Sequence, residues 1–344
     1  MENLEEIKTP RINGYLNLDS YFLRRLGRPA EDEEDLFSHG LIDIEVAGRS
    51  NKFWILDEQG NRIALFKEPI NPQGDETYAE LISEEVSKIL GLPTAHYDLA
   101  IFGGCNGVLC YNFVKEYDSY QSGFDILMDF YDSKLENNKE NSELYGIDNI
   151  SDTIDDVSEK LNNLETAWCI LEDKYKNHPN KEYIVSTIVD GLVNKLIFDI
   201  LMVNVDDHCD NWGELDSLEE GRRLAPQFDN ARVINLHNNI AVEQFASKET
   251  IEDKNLSFVV DNTGITKPLE VLKYFLNISS SEYTDLVRDK VNTLREHIDD
   301  VPSIIEERTE VPMPKQLKKY FITTMNEHLE RVSEIVDNKI KGKR

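Results

Sequence analysis

A chain of 344 residues is long enough to bury a substantial core, either in one bilobed domain or in two. Hydrophobic residues make up 40% of it and aromatic residues 9%, as in folded globular proteins and unlike disordered ones. The formal charge of −29 argues against general binding to nucleic acids or anionic membranes, because so acidic a surface repels phosphate groups. For the same reason, any nucleotide site here needs local positive charge or a metal ion.

Nothing near the N-terminus predicts a secretory signal, because the first residues form neither a basic nor an apolar segment. The longest apolar run, 183–204, contains Asp190, Lys195 and Asp199, which favours a buried helix over a membrane span. The four cysteines form no CxxC pair and are interpreted as free thiols in a reducing compartment. These features predict a cytoplasmic protein without a membrane partner.

The first third of the chain predicts a small β-rich lobe. Residues 1–40 are polar and charged, and are interpreted as an N-terminal extension or cap. The lobe itself is assigned to 41–118. Within it, the apolar runs 53–56 and 63–67 flank a polar turn with a glycine and are predicted to pair as an antiparallel hairpin.

A helix and two further strands complete the predicted lobe. The helix is expected at 77–90, where apolar residues recur three and four apart and Gly91 ends the pattern. The strand-like runs 97–102 and 108–114 follow, separated by a glycine-rich turn. This order predicts a compact sheet with one helix packed on it.

The rest of the chain, 119–344, predicts a larger helical lobe. Residues 119–150 are polar and acidic and are interpreted as a loop or insertion. Apolar residues spaced three and four apart over 154–171 predict one amphipathic helix, which packs inside the fold or forms a coiled coil with a partner. A helix over residues 182–203 would be apolar around most of its circumference, so this segment is predicted to be the central buried helix of the lobe. The predicted fold class is α+β and bilobed.

The densest cluster of polar side chains, 204–213, directly follows this buried helix. It contains Asp206 and Asn211, and a short apolar segment ends in Asp229 eighteen residues beyond Asn211. Phosphoryl transfer requires a carboxylate that accepts the hydroxyl proton and oxygen ligands for Mg²⁺. Because Mg²⁺ prefers carboxylate and amide oxygens, these residue types suit it better than zinc. Asp and Asn also form loops through turns of their own, so either loop alone has a purely structural interpretation.

Other candidate residues are weaker individually. His208 lies between acids and is a candidate base or ligand, or a residue that fixes the loop by hydrogen bonding. In the first lobe, Lys67 is a candidate phosphate ligand and Glu80 its partner, although such side chains are usually solvated. The segment 46–52 is a candidate phosphate-covering turn in which Gly48 allows close backbone approach, but it lacks the common phosphate-loop motifs.

Taken together, these segments resemble the HipA-like serine/threonine protein kinases. The most specific matches are the loop Asn204-x-Asp206-x-His208-x-x-Asn211 and the segment Ala225-Pro226-Gln227-Phe228-Asp229. Four further segments agree in order and spacing: Val46-Ala47-Gly48 with Lys52, Phe66-Lys67-Glu68-Pro69, Ala79-Glu80 with Gly91-Leu92-Pro93, and Val114-Lys115-Glu116-Tyr117-Asp118. The compact stand-alone members are the better comparison, because only 40 residues precede the match.

The resemblance implies a bilobed protein-kinase-like fold that uses ATP and Mg²⁺. It implies these site residues: Asp206 and His208 in the catalytic loop, Asn211 and Asp229 on the metal, and Gly48, Lys52, Lys67, Glu80, Lys115, Tyr117 and Asp118 around the nucleotide. Glu45 occupies the place where the toxin kinases tend to have an autophosphorylated serine, so self-inactivation is expected to be absent or moved to Ser50.

Four functions remain open on the sequence. The first is a protein serine/threonine kinase, which in a toxin–antitoxin system would have a small helix-turn-helix antitoxin as partner. A small-molecule kinase and a non-catalytic pseudokinase use the same lobes. A metallophosphoesterase built on Asp206-Asp207-His208 is disfavoured, because the chain has only seven histidines and none is paired at ligand spacing.

Overall fold

A sheet of seven strands dominates the N-terminal part of the chain, among the residues that the structure describes. The structure is a computed structural model, which describes residues 7–29, 32–44, 51–70, 75–135, 154–236 and 251–342. The strands of this sheet are β1 (Arg11–Ile12), β2 (Tyr15–Asn17), β3 (Ile42–Ile44), β4 (Lys52–Leu56), β5 (Arg62–Lys67), β6 (Tyr97–Phe102) and β7 (Cys105–Tyr111). They lie in the order β1-β2-β6-β7-β5-β4-β3, and all neighbours are antiparallel except β2 and β6.

The predicted hairpin is present as β4 and β5. Phe53 lies opposite Phe66 and Lys52 opposite Lys67, and the two aromatic rings are buried with their centroids 5.3 Å apart. Because strand side chains alternate between the two faces, the lysines project from the face opposite to the phenylalanines. One face of the hairpin therefore builds a core, and the other carries two neighbouring cations.

Strands β1 and β2 belong to this sheet, and side chains of the segment that follows them reach its core, which differs from the extension or cap predicted for 1–40. Helices α1 (Leu18–Leu26) and α2 (Glu33–Ser38) follow β2. Phe22 on α1 is fully buried, with its ring centroid 5.5 Å from that of Phe102 and 6.4 Å from that of Phe53. Strands of two or three residues are too short for an alternating pattern to be recognised in the sequence.

Helix α3 (Glu76–Ile89) corresponds to the helix predicted at 77–90 and is buried over most of its length. Its fully buried Glu84 carboxylate lies 2.7 Å from both Arg308 and His96 and 2.8 Å from Lys88. Arg308 belongs to helix α10 (Val301–Thr309), so this cluster joins α3 to the C-terminal part. Burial alone would raise the pKa of Glu84, but the hydrogen bond to His96 and the charge of Arg308 lower it to about 2.

Replacing this carboxylate should destabilise the protein in a pH-dependent way. We expect Glu84→Gln to lower the free energy of unfolding at pH 7 by about 3 kcal/mol, since a buried charge loses its partner. The folded pKa lies below the ordinary value of 4.5, so the stabilisation is complete above pH 4.5 and is lost as the pH falls towards 2. Urea unfolding of both proteins at several pH values measures the difference.

The matched control for this prediction is Glu330→Gln, because Glu330 is exposed. Exposed substitutions of this kind change the free energy of unfolding by less than about 0.5 kcal/mol. A difference between wild type and Glu84→Gln that stayed constant from pH 7 to pH 3 would contradict the role assigned to the ion pairs.

The C-terminal part is mainly helical, as predicted. Its helices are α4 (Gly123–Phe130), α5 (Ile154–Leu161), α6 (Leu164–Lys174), α7 (Lys181–Met202), α8 (Pro268–Ile278), α9 (Ser281–His297), α10 and α11 (Lys315–Gly342). A small antiparallel sheet joins β8 (Ser119–Ser122), β9 (Gly213–Ser217) and β10 (Gly221–Leu224). Helix α7 matches the buried helix predicted at 182–203, and most of its residues lie in the core. No helix among the described residues is long and apolar enough to cross a membrane.

The prediction of one helix over 154–171 is wrong, because the chain breaks between α5 and α6. Asn163 caps α6 by accepting a hydrogen bond from the Thr166 N–H at 2.9 Å. The neighbouring Asn162 Nδ2 donates to the carbonyl of Asp207 at 2.8 Å. The apolar spacing continues across the break, so periodicity alone did not reveal it.

The interpretation of 119–150 as a loop or insertion is also corrected where the structure describes it. Strand β8 and helix α4 are part of the C-terminal fold, and a π-helical turn follows at Tyr131–Leu135. A Cβ atom at Gly123 would lie 2.5 Å from the indole of Trp212, so α4 packs directly behind the polar cluster at 204–213. Residues 136–150 lie outside the described residues.

Candidate active site

A large cleft lies between the N-terminal sheet and the C-terminal helices. Its volume is about 1220 Å³, and side chains from both parts line it. Leu65 and Lys67 contribute from β5, while Asn211, Phe228 and Asp229 contribute from the C-terminal part. A cleft of this size accommodates a nucleotide together with part of an acceptor.

Lys67 connects the two parts across this cleft. Its Nζ donates to Glu80 Oε1 at 2.8 Å and to Asp229 Oδ1 at 2.6 Å. Burial would lower the pKa of Lys67, but the carboxylates of Asp229 and Glu80 raise it above its usual value. At Asp229, burial would raise the pKa of the carboxyl, but the charge of Lys67 lowers it below its usual value. Lys67 is therefore a fixed cation, and Asp229 is ionised, at neutral pH.

Glu80 is held as firmly as the lysine. Its side chain is 1% exposed, and its Oε2 accepts the Asn230 N–H at 2.8 Å. The sequence predicted contact between Glu80 and Lys67, and the structure brings the two together. The second cation, Lys52, lies opposite Lys67 across β4 and β5 and lines the same cleft. Like charges directly opposite each other are unfavourable unless an anion lies between them.

The polar cluster begins where α7 ends. Val203 closes the helix in the left-handed region, with φ of 48°, which is uncommon for a β-branched residue. Asn204 follows; it is buried, and its Nδ2 donates to Asp199 Oδ1 at 3.1 Å and to Asn230 Oδ1 at 2.9 Å. Asn204 therefore ties the end of α7 to the loop that carries Asp229.

A buried ion pair lies beneath the same loop. Lys195 Nζ is 2.9 Å from Asp207 Oδ1, and neither side chain is more than 1% exposed. Asp199 lies one turn further along α7, where burial and then the charge of Asp207 raise its pKa well above the usual value. The direct partner of Lys195 is therefore Asp207. This pair holds Asp207, and with it the backbone of Asp206, against the central helix.

Asp206 projects from this anchored loop into a smaller cavity beside the cleft. Its carboxylate is 44% exposed, and its Oδ2 lies 3.1 Å from Nε of Arg232. The Asp206 carbonyl accepts a hydrogen bond from Asn211 Nδ2 at 2.7 Å. An exposed carboxylate on a fixed backbone has the geometry to accept a proton from an incoming hydroxyl group.

His208 lines the cleft beside these carboxylates. Its side chain is 53% exposed, and Nδ1 lies 3.5 Å from Asp210. The hydrogen bond to Asp210 raises the pKa of His208 against the opposing effect of burial. Its carbonyl accepts the N–H of Asn211 at 2.9 Å, in the turn at Cys209–Asn211. Both contacts lie within the loop, and a role of His208 as a base or ligand stays a prediction.

Asn211 and Asp229 are the candidate metal ligands, and both line the cleft. The Asn211 amide nitrogen is used in the loop, so its Oδ1 is the atom suited to a cation. One carboxylate and one amide oxygen fit Mg²⁺, which usually takes one or two protein ligands together with phosphate oxygens and water. Among the described residues, no group of three or more His, Cys, Asp and Glu side chains is arranged to hold a metal ion.

The expected adenine end of the cleft is aromatic. The rings of Phe113 and Phe228 lie 5.3 Å apart, and Tyr120 packs edge-on against both. The predicted hinge side chains Lys115 and Tyr117 do not line the cleft. The side chain of Lys115 is 62% exposed and pairs with Glu219 at 2.7 Å, while Tyr117 is 73% exposed.

Asp118 and Gly48 were also predicted to lie around the nucleotide. Asp118 does not line the cleft, and its N–H closes a turn by donating to the Lys115 carbonyl at 3.0 Å. Gly48, and with it Glu45 and Ser50, lies outside the described residues.

Sequence reasoning missed Arg232, the aromatic cluster and Asn162. Asn162 is buried, and its Oδ1 accepts the indole N–H of Trp212 at 3.0 Å while its Nδ2 reaches the Asp207 carbonyl. A pair of asparagines inside an apolar repeat was the available signal, since Asn favours caps and turns over helix interiors. For Arg232 the signal was a basic residue three positions after Asp229, the carboxylate predicted to bind a metal ion.

The architecture alone defines the class of fold to which this chain belongs. A small β-rich lobe, a larger helical lobe and a strand lysine paired with a helix glutamate over the intervening cleft form a protein-kinase-like fold. No protein-family model matches this chain, and no curated protein matches its sequence. Similar proteins are found among solved structures.

The fold is similar to that of CtkA, a proinflammatory kinase of Helicobacter pylori. The TM-score is 0.58 and the sequence identity 14%, over 87% of this chain and 96% of that one. It is also similar to HipA of Shewanella oneidensis MR-1, solved with HipB and operator DNA of a toxin–antitoxin system. That match has a TM-score of 0.46 and 14% identity, over 86% of this chain and 64% of HipA, which is under two thirds of its length. Of these two likenesses, the one to CtkA has a TM-score above 0.5, and it confirms the predicted bilobed, kinase-like α+β fold.

Proposed function

We propose that this chain is an ATP- and Mg²⁺-dependent kinase that phosphorylates a serine or threonine hydroxyl group of a protein. The observation that carries this proposal is the contact of Lys67 with both Glu80 and Asp229 across the cleft. A buried cation held between two carboxylates, one of them a candidate metal ligand, is the arrangement that positions phosphates beside a magnesium ion.

Each residue has a defined task in this proposal. Lys67 binds phosphate oxygens, and Lys52 opposite it adds positive charge to the same face. Asn211 and Asp229 hold the metal ion, which when bound neutralises the charge of the phosphates. Asp206 accepts the proton of the acceptor hydroxyl group as the oxygen of that hydroxyl attacks the terminal phosphorus of ATP. The bond to the leaving ADP then breaks.

The anchored loops favour catalysis over nucleotide binding alone. Phosphoryl transfer depends mainly on positioning and electrostatics, so a base that moves freely would contribute little. Asp206 is fixed through Asp207 and Asn211, and Asp229 through Lys67. A pseudokinase has no need of this geometry at the base. A cytoplasmic location and a helix-turn-helix antitoxin partner remain predictions of the sequence.

The proposal is tested by incubating the purified protein with γ-labelled ATP and Mg²⁺, using a mixture of basic proteins as acceptor. We expect label on protein, on serine or threonine by mass spectrometry, and its loss when Mg²⁺ is chelated. A parallel panel of sugars, lipids and aminoglycosides tests the small-molecule alternative. Label on a member of that panel, with none on protein, would move the function to a small-molecule kinase.

A further inference from the structure

A second cavity adjoins the main cleft on the side of Asp206. Its volume is about 380 Å³, and Lys52, Lys67, His208 and Asp229 line both cavities. Asp206 and Arg232 line the smaller one, while the aromatic residues of the expected adenine end line only the larger. A nucleotide in the larger cavity therefore directs its terminal phosphate towards Asp206 and Arg232.

The charges around this cavity are unevenly distributed. The carboxylates that line it are those of Glu68, Glu76, Glu80, Asp206 and Asp229. Lys67 is already bound to Glu80 and Asp229, at the end where phosphates would enter. A phosphoryl group that moves towards Asp206 leaves this lysine and approaches a carboxylate. It needs a cation on the acceptor side, where Arg232 is in contact with Asp206.

The backbone after Arg232 is unusually well fixed. Val233 and Ile234 are fully buried, and Ile234 has a φ of 41°, which is rare for a β-branched residue. The carbonyl of Ile234 accepts a hydrogen bond from the Tyr320 hydroxyl at 3.1 Å, and Leu236 is bound through its carbonyl to the N–H of Asp75. Backbone strain of this kind persists only where the surroundings impose it, and it is common at functional sites.

We propose that Arg232 both positions Asp206 and binds the phosphoryl group during its transfer. This inference rests on the function proposed above. Nε of Arg232 is held by the Asp206 carboxylate, and the guanidinium presents its Nη donors to phosphate oxygens in the planar geometry that arginine provides. The acceptor proton goes to Asp206, the new bond forms between the acceptor oxygen and phosphorus, and ADP leaves with its bonding electrons. Arg232 supplies charge and remains chemically unchanged.

The test compares Arg232→Ala, Arg232→Lys and the control Arg288→Ala in the labelled-ATP assay. Arg288 is matched because it also pairs with an aspartate, Asp285 at 3.0 Å, on the outer surface of helix α9. We expect Arg232→Ala to lower kcat roughly 100-fold and to leave KM for ATP within about threefold, because the contact acts mainly in the transition state. Arg232→Lys should retain more activity than Arg232→Ala, and Arg288→Ala should behave as wild type.

Chemical rescue separates this role from a structural one. Low concentrations of guanidinium ion should raise the activity of Arg232→Ala roughly tenfold and leave the activity of Asp206→Ala unchanged. Calorimetric ATP binding and thermal unfolding of Arg232→Ala establish that the variant is folded. The role of Arg232 would be overturned by a folded variant with wild-type kcat, by a rise in KM for ATP as large as the fall in kcat, or by the absence of rescue. These outcomes would leave the proposed function intact. A wild-type protein without ATP-dependent transfer would overturn the proposed function as well.

Discussion

Asp206→Ala is expected to lower the rate of phosphoryl transfer by roughly 10³-fold while ATP binding stays within about threefold of wild type. A positioned general base contributes on the order of 10²–10⁴ to such reactions. Asp206 is proposed to act on the acceptor hydroxyl, whereas Lys67, Asn211 and Asp229 are proposed to hold the nucleotide and its metal ion. The loss should therefore appear in kcat, measured by initial rates, with nucleotide affinity measured by calorimetry.

Stability provides a second check on this variant. The ion pair between Asp206 and Arg232 is partly exposed, so its removal should change the free energy of unfolding by less than about 1 kcal/mol. Asp285→Ala is the matched control, since it removes the aspartate of the exposed pair with Arg288. Transfer by Asp206→Ala at the rate of this control would exclude Asp206 as the base.

Lys67→Met should affect both activity and stability. The methionine keeps most of the side-chain volume but removes the cation, so we expect transfer to fall at least 10²-fold. Glu80 then lies buried without its partner and close to Asp229, which should lower the free energy of unfolding by about 3 kcal/mol. Initial rates and urea unfolding measure the two effects.

The double variant Lys67→Met/Glu80→Gln separates these effects. Removing the stranded carboxylate should recover much of the lost stability, whereas transfer should remain low because the phosphate-binding cation is still missing. Lys174→Met is the control for stability loss alone, since Lys174 pairs with the buried Glu214 at 2.8 Å away from the cleft. Full transfer activity in the double variant would contradict the role assigned to Lys67.

The features that could be predicted from sequence are those with a local signal. The β4–β5 hairpin and helices α3 and α7 follow from alternation and helical spacing over whole elements. The contact between Lys67 and Glu80 spans only 13 residues and follows once a strand and the next helix are placed. Local patterning also marks the polar loop after α7, because a run of Asp and Asn ends a long apolar segment.

The features that were missed depend on contacts between distant segments. The break at Asn162 exists because that side chain binds the Asp207 carbonyl, 45 residues away, in competition with a continuing helix. Strand β2 is defined by its parallel pairing with β6. Arg232 is close to Asp206 only in the folded chain, and it is followed two residues later by the buried Ile234 in an unfavourable backbone region. Such effects leave no periodic trace in the sequence.

The most direct measurement is a crystal structure of the protein with Mg²⁺ and a non-hydrolysable ATP analogue. We predict the base against the cluster of Phe113 and Phe228, the metal ion on Asn211 and Asp229, and the terminal phosphate between Lys67 and Asp206. Nucleotide bound in this cleft with the terminal phosphate turned away from Asp206, or bound elsewhere on the protein, would contradict phosphoryl transfer at this site.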